Sequence, residues 1–219
     1  MSKREHDIEA DRARALQLTP VSRETLKRLD RFVQILLRWH QTTNLIASST
    51  ILELWTRHVA DSLQLLEHAG QVRVWVDFGS GGGFPAIPIA CALADRPGAK
   101  VHLVESNSKK AAFLREAVRV TRAPAVIHRQ RVEKFGESCR ETVDVVSARA
   151  LAPLKTLCDQ AFPLIARGAV GLFPKGQDVD AELTEAAKYW TIEASKLPSK
   201  ISPTGCIVLV RELKPLKNK

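Results

Sequence analysis

Residues 74–88, VWVDFGSGGGFPAIP, put an acid and four glycines where an extended run must turn into a helix. Asp77 follows the apolar residues 72–76, Gly79, Gly81, Gly82 and Gly83 come next, and an apolar periodic stretch resumes at 87–94. Glycines let the backbone reach positive φ and let a ligand approach with no Cβ in the way. The helix that follows offers unpaired N–H groups and the positive end of its dipole, which suit a carboxylate or a phosphate. A second acid, Glu105, ends the next apolar run at 101–105. An acid at that strand end accepts hydrogen bonds from ribose hydroxyls. Together these residues describe a corner for a nucleotide-like small molecule.

Two ligand classes compete for it. Gly81-Gly82-Gly83-Phe84-Pro85-Ala86 satisfies the dinucleotide pattern G-x-G-x-x-A, although counting from Gly79 puts Phe84 where the third glycine belongs, and two prolines lie in the first helical turn. Asp77-Phe78-Gly79-Ser80-Gly81 fits the D-x-G-x-G pattern of an adenosine ligand without pyrophosphate, such as S-adenosylmethionine. There the acid pairs with the cofactor's ammonium, directly or through water.

The elements that must position these residues alternate along the chain. Thr19-Pro20 reads as an N-cap with Pro at the first helical position, opening an amphipathic helix over roughly 20–40, and 51–68 reads as a second one. Strands are expected at 72–76, 101–105, 125–128, 143–147 and 169–173, with helices at 87–94, 109–120, 154–165 and 178–189 between them. Two last strands, 191–194 and 206–212, have no helix between them and suit an antiparallel pair. The Pro-, Ser- and Lys-rich stretch 196–205 reads as a mobile loop. This order predicts an α/β, Rossmann-like fold: a mostly parallel seven-stranded sheet with helices on both faces. A helical cap is expected over 1–70, its first 18 or so residues disordered, ahead of a main domain over 71–219. Trp39, Trp55 and Trp75 are expected in the core.

Composition narrows the partners. The net charge is +9, and the excess is uneven: residues 71–150 carry 13 Lys+Arg against 8 Asp+Glu. Between Lys109 and Arg131 stand seven basic residues and one acid, Glu116, which marks a phosphate-backbone surface. No run of about 18 apolar residues exists, so no membrane span is expected. The N-terminal segment has no apolar stretch of the secretory kind. The four cysteines are widely spaced, without a C-x-x-C, which argues against a metal site or a disulfide framework and fits a reducing cytoplasm.

At this point the chain resembles, over nearly its whole length, the glucose-inhibited division protein B family, the ribosomal small-subunit methyltransferases G. The resemblance is carried by Asn44-Leu45, by Arg57-His58-Val59-Ala60-Asp61-Ser62, by the loop DFGSGGGFPAIPI, by Glu105-Ser106 with Lys109-Lys110 and Phe113-Leu114-Arg115, by Arg131-Val132-Glu133, by Ser147-Ala148-Arg149-Ala150 and by Pro174-Lys175-Gly176. It implies a class I methyltransferase fold and S-adenosylmethionine-dependent methylation of a guanine N7 in 16S rRNA. It also implies cofactor contacts at Gly79, Gly81, Phe84, Glu105, Val132, Glu133 and Arg149, beside the Asp77 read above. One departure is visible: the family pattern calls for an Arg before the last strand, where this chain has Gly205-Cys206.

The residue chemistry agrees with that implication. Guanine N7 carries a lone pair and no proton, so its alkylation needs positioning and a dry site rather than a general base. An exocyclic amine would call for an N/D-P-P-Y type loop, and residues 147–152, SARALA, are not one. Cytosine C5 would need a thiolate, and Cys158 falls in the following helix rather than on that loop. Arg149 is the positioning candidate, able to meet guanine O6/N7 or the cofactor. Helical spacing pairs Arg57 with Asp61 and offers His58 to Asp61 or Ser62. Arg57, His58, Lys109, Lys110, Arg115, Arg119, Arg122 and Lys175 are the candidate RNA contacts. The expected partner is 16S rRNA, free, in the 30S subunit or in an assembly intermediate, met by a monomer with no metal. Two other readings stay open: an NAD-type oxidoreductase, which leaves the basic face without a use, and a catalytically silent RNA-binding module, which makes the joint presence of Asp77, Gly79, Gly81 and Glu105 hard to explain.

Overall fold

The computed structural model describes residues 3–216. Seven strands form one sheet: β1 (Val74–Phe78), β2 (Lys100–Val104), β3 (Ala125–His128), β4 (Val145–Ala148), β5 (Val170–Lys175), β6 (Trp190–Pro198) and β7 (Cys206–Pro215). Their order is β3-β2-β1-β4-β5-β7-β6; the first five are mutually parallel, β7 runs antiparallel to β5, and β6 antiparallel to β7. Strand order reverses between β1 and β4, so a crevice opens beyond their carboxyl ends.

Alternation along the strands sorts the core into two layers. Trp75, Val101, Leu103 and Val145 face α2 (Arg23–His40), α4 (Ala86–Leu93) and α5 (Ser108–Thr121). Val76, Phe78, Val104 and Val146 face α6 (Val132–Ser138), α7 (Leu154–Ile165) and α8 (Val179–Ala186). The same two-residue period puts Asp77 and its β4 register partner Ser147 on the first face, under the N-terminal helices. Trp55 and Trp75 are fully buried, while Trp39 packs against the core from a half-buried position.

The N-terminal region departs from the sequence reading. Residues Lys3–Leu18 form helix α1 rather than a disordered lead-in. Its charged sequence gives no amphipathic signal, and its anchor is a buried acid: Asp11 Oδ2 accepts from the backbone N–H groups of Trp55 and Thr56 at 2.8 and 3.2 Å. Arg12 then reaches Asp30 of α2 with both its Nε and an Nη, at 2.9 and 3.0 Å. Ser22, not Thr19, caps α2, its hydroxyl accepting from Thr25 N at 3.1 Å; the Thr19 hydroxyl instead donates back to Ala15 O.

The expected second helix over 51–68 is not one regular helix. A 3₁₀ turn (Ser48–Glu53) runs into a π-helical stretch (Trp55–Ala60), then α3 (Asp61–Leu63), then a 3₁₀ turn (Gln64–His68). A π turn inserts about one residue per turn, so the i,i+4 neighbours of an α-helix no longer stack. Two further elements exceed the sequence signal. Helix α6 is seven residues long and its periodicity is too brief to read. Strand β6 extends to Pro198, its regularity coming from the ladder to β7 rather than from its mostly exposed residues. The stretch read as a mobile loop therefore begins inside β6, and Ser199 at its turn bonds Gln64 and the backbone N–H groups of Ile201 and Ser202. None of the described helices is long and apolar enough to cross a membrane.

Candidate functional site

The glycine corner is built from its own backbone and two acids. Gly79 and Gly81 take φ of +65° and +51°, a region that side chains with a Cβ seldom enter. Gly79 N and Ser80 N both donate to Val104 O, which folds the loop over the end of β2. Glu105 then pins it: Oε2 accepts from Gly81 N at 2.9 Å, and Oε1 from Asn107 N at 2.7 Å. Each carboxylate oxygen keeps a second lone pair, so ribose hydroxyls can still donate to Glu105. A Cβ on Gly81 would meet only Gly79 O, at 3.6 Å, so this glycine turns its open side to the crevice. Gly82 is small for another reason. A Cβ there would fall 2.5 Å from Leu45 O, so the Asn44-Leu45 segment presses on the loop from behind.

Asp77 sits beneath this loop and is 1 % exposed. Trp75 Nε1 donates to Ser147 Oγ and Ser147 Oγ donates to Asp77 Oδ1, each at 2.8 Å. Among the described residues Asp77 Oδ2 has no hydrogen-bond partner. Burial pushes this carboxyl up to about 7 against the lowering effect of Ser80, Ser147 and Arg149. A cationic ammonium, or a water that carries one, would give Oδ2 the partner it lacks. That orphaned oxygen and the open face at Gly81 fit an adenosine-type cofactor with a charged amine.

Arg149 closes the other side. Its guanidinium carbon lies 5.2 Å from the Phe84 ring centroid, and the His58 ring packs on Phe84 at 5.0 Å. Nη1 donates to Arg57 O at 3.3 Å and to Asp61 Oδ2 at 3.4 Å. Burial pulls Arg149 below the usual guanidinium range, against the raising effect of Asp61 and Asp77. The helical pairing expected between Arg57 and Asp61 is therefore absent. Arg57 lies 3.5 Å from Glu53, and the π turn aims Asp61 inward at Arg149. His58 is not satisfied by Ser62, whose hydroxyl donates to His58 O. Its Nε2 lies 2.8 Å from Thr50 Oγ1, and that hydroxyl is itself 2.7 Å from Ala47 O. Thr50 spends its proton on the carbonyl, so Nε2–H donates to the hydroxyl oxygen and Nδ1 is the bare acceptor. Burial, with Arg149 and Arg57 nearby, lowers His58 to about 3, so it is neutral in any physiological medium.

A cavity of about 620 Å³ opens beyond β4, β5 and β7, lined by Asp61, Arg149, Leu151, Pro174, Ser202 and Cys206 among others. A second, of about 560 Å³, lies toward α1 and is lined by Arg57, His58, Asp61, Arg149 and Pro203 among others. Leu151 stands between the first cavity and the glycine loop, its Cδ1 2.6 Å from where a Cβ on Gly79 would be. Ser202 packs against Gly205 so closely that a Cβ there would come within 2.9 Å of Ser202 Cβ, so the arginine of the family pattern could not enter without moving this turn.

The remaining expected residues divide. Val132 is buried beside Phe135, and Glu133, exposed, accepts from Gln160 Nε2. Lys109 and Lys110 start α5 at the crevice end, where Asn107 Oδ1 accepts from both their N–H groups. Arg115, Arg119 and Arg122 do not gather there. Helix α5 spans 14 residues, about 21 Å at the helical rise, so Arg122 ends it on the far side, and Arg119 is paired with Glu116 at 2.7 Å. Lys175 does not present its charge at the rim. Nζ donates to Ala152 O and Glu182 Oε2 at 2.9 and 2.6 Å, which makes it a strut between β5, α8 and the loop after β4. Among the described residues no group of three or more His, Cys, Asp or Glu could hold a metal ion. Thr50 and Gln64 had no sequence signal of their own, whereas Ser147 and Leu151 entered the sequence reading only as part of the segment 147–152; that Ser147 meets Asp77 and Leu151 meets Gly79 depends on pairing across the sheet.

A parallel sheet reversing at β1/β4, with a glycine loop, a strand-end acid and a buried acid beneath, defines a class I methyltransferase that uses S-adenosylmethionine. The solved structure of the O-methyltransferase from Bacillus cereus in complex with SAH is similar in fold: TM-score 0.55 at 14% identity, covering 82% of this chain and 90% of that one. The profile of the rRNA small subunit methyltransferase G (GidB) family matches residues 25–204, and the chain belongs to that family. Among its relatives, the ribosomal RNA small subunit methyltransferase G of Bradyrhizobium sp. strain BTAi1 is 58% identical over 203 residues, 93% of this chain and 91% of that protein. That of Nitrobacter hamburgensis is 58% identical over 199 residues, 91% of this chain and 76% of that protein. The oxidoreductase and silent-module readings are not favoured.

Proposed function

We propose that this chain transfers a methyl group from S-adenosylmethionine to N7 of one guanine in 16S rRNA, acting on the RNA within the 30S subunit or an intermediate of its assembly. The observation that carries the reading is the cavity beyond β4, placed beside the cofactor corner, in which neither the thiol nor the neighbouring imidazole is fitted to activate an acceptor. Its one thiol, Cys206, is pushed up by burial, and Cys158 behind it is pushed up to about 12. His58, on the neighbouring wall, is too weak a base to take a proton. A guanine N7 asks for neither.

The cofactor supplies an electrophilic methyl on a sulfonium, and the chain's residues do the rest. Asp77 would take the ammonium and Glu105 the ribose hydroxyls, and Gly79 and Gly81 would let the ligand lie against the backbone. Val132 and Glu133 would border the purine end of the cofactor, and Phe84 with Arg149 would form the wall next to its transferable methyl. Arg149 does not donate to guanine N7, because such a bond would occupy the lone pair that must attack. Its roles are to hold Phe84 and Arg57 in place and to offer a donor to O6. Lys109 and Lys110, with Arg57 at the mouth, meet the phosphate backbone.

The test is methylation with labelled S-adenosylmethionine of 30S particles from cells lacking this activity, followed by mass mapping. Label on a single guanine, at a position that becomes cleavage-prone, is expected. Cofactor binding without label would remove the substrate assignment and leave the fold reading intact.

A further inference from the structure

We infer that Asp61 reads the target guanine and takes up the positive charge that the reaction places on it. The inference rests on the guanine-N7 reading above and names the residue that makes it selective.

Asp61 and Arg149 line both cavities, so their pair stands on the partition between them. A space of about 620 Å³ is within the range of sites that enclose a small ligand such as a flipped nucleotide. The Asp61 carboxylate is poorly held for so enclosed a group. Oδ1 accepts from Gln64 Nε2 at 2.8 Å, but among the described residues Oδ2 has only Arg149 at 3.4 Å. A charge-assisted N–H···O bond measures about 2.7–2.9 Å, so the pair as it stands is slack. Burial accordingly pushes the Asp61 carboxyl up, with Arg149, Gln64 and Arg57 acting the other way. The charged groups that line the same two cavities are the cations Arg149, Arg57, Arg14 and Lys175 and the acids Glu53 and Glu182, the last held by Lys175, with His58 neutral beside them.

Guanine carries two adjacent donors, N1–H and N2–H₂, on one edge and the acceptors O6 and N7 on the other. One carboxylate accepts both donors side by side. Adenine would put the N1 lone pair against that carboxylate and is refused. The charge bookkeeping assigns a second duty. The N7 lone pair forms the new N–C bond, the C–S electron pair passes to sulfur, and no proton moves. The sulfonium becomes a neutral thioether, and the positive charge appears on the purine. N1–H and N2–H₂ become stronger donors as it does, so their bonds to Asp61 strengthen toward the transition state. Arg149 alone would oppose a cationic purine; the adjacent carboxylate cancels it.

The test compares the full-length chain and its Asp61→Asn variant on small-subunit particles reconstituted with guanosine or inosine at the target position. Inosine keeps N1–H and lacks the N2 amine. For the unsubstituted chain, inosine is expected to lower kcat/KM roughly tenfold, the worth of one bond to a charged acceptor. Asp61→Asn is expected to lower kcat roughly a hundredfold or more, with cofactor affinity by calorimetry unchanged, and to lose the guanosine–inosine discrimination. Equal kcat/KM on guanosine and inosine overturns the proposal with no variant needed, whether or not Asp61→Asn folds. A discrimination that survives in Asp61→Asn overturns it as well. If the unsubstituted chain labels no guanine N7, it is the underlying functional reading that has failed.

Discussion

Ser147 Oγ holds one oxygen of Asp77 at 2.8 Å while the other oxygen, also buried, has no partner among the described residues. The carboxylate is therefore half satisfied in the protein alone, and its folded pKa stands at about 7 against an ordinary 3.8.

The sign of the stability effect follows. The folded state binds this proton more tightly than the unfolded chain, so stability from this group falls as pH rises from about 4 to 7. Asp77→Asn should remove that loss. The melting-temperature difference, variant minus parent, should grow over that window and level off above it. A difference independent of pH would mean that Asp77 is already paired. The same variant should weaken S-adenosylmethionine roughly ten- to a hundredfold, the worth of a charge-assisted bond, as read by calorimetry.

Glu105→Gln replaces one of two accepting oxygens with an NH₂ group that must face the N–H of Gly81 or Asn107. The glycine loop should loosen and the ribose partner weaken together, with cofactor Kd rising at least roughly tenfold. Retained affinity would show that the loop is held by Gly79 N and Ser80 N on Val104 O without help from the acid.

Arg149→Lys keeps the charge and loses the planar fork that reaches Arg57 O and Asp61 while lying on Phe84. Methyl transfer should fall roughly a hundredfold through misplacement, with a much smaller change in melting temperature. Full activity in steady-state assays would reduce Arg149 to a charge.

Lys109→Glu with Lys110→Glu should weaken RNA binding and flatten its salt dependence by about two phosphate contacts. Arg122→Glu, at the other end of α5, should leave that slope alone. Titrations across salt concentrations on particle RNA separate the two. Equal effects would extend the RNA surface along the whole helix.

The sequence by itself determined the fold class, the order of elements and the cofactor corner. These depend on residues adjacent in the chain: a two-residue strand period, glycines at a turn that needs positive φ, an acid at each strand end. Helix α1 was not legible, because a charged segment shows no stripe and its anchor, Asp11, is defined by backbone N–H groups over 40 positions away. The π turn at Trp55–Ala60 was not legible either, and it redirected Asp61 from Arg57 to Arg149, 88 residues distant. Only the tertiary structure made Lys175 a strut, took Arg119 and Arg122 away from the crevice, and left Asp77 and Asp61 underpartnered. Those outcomes are set by which groups share a low-dielectric space, and that sharing is fixed by packing between elements rather than by spacing within one.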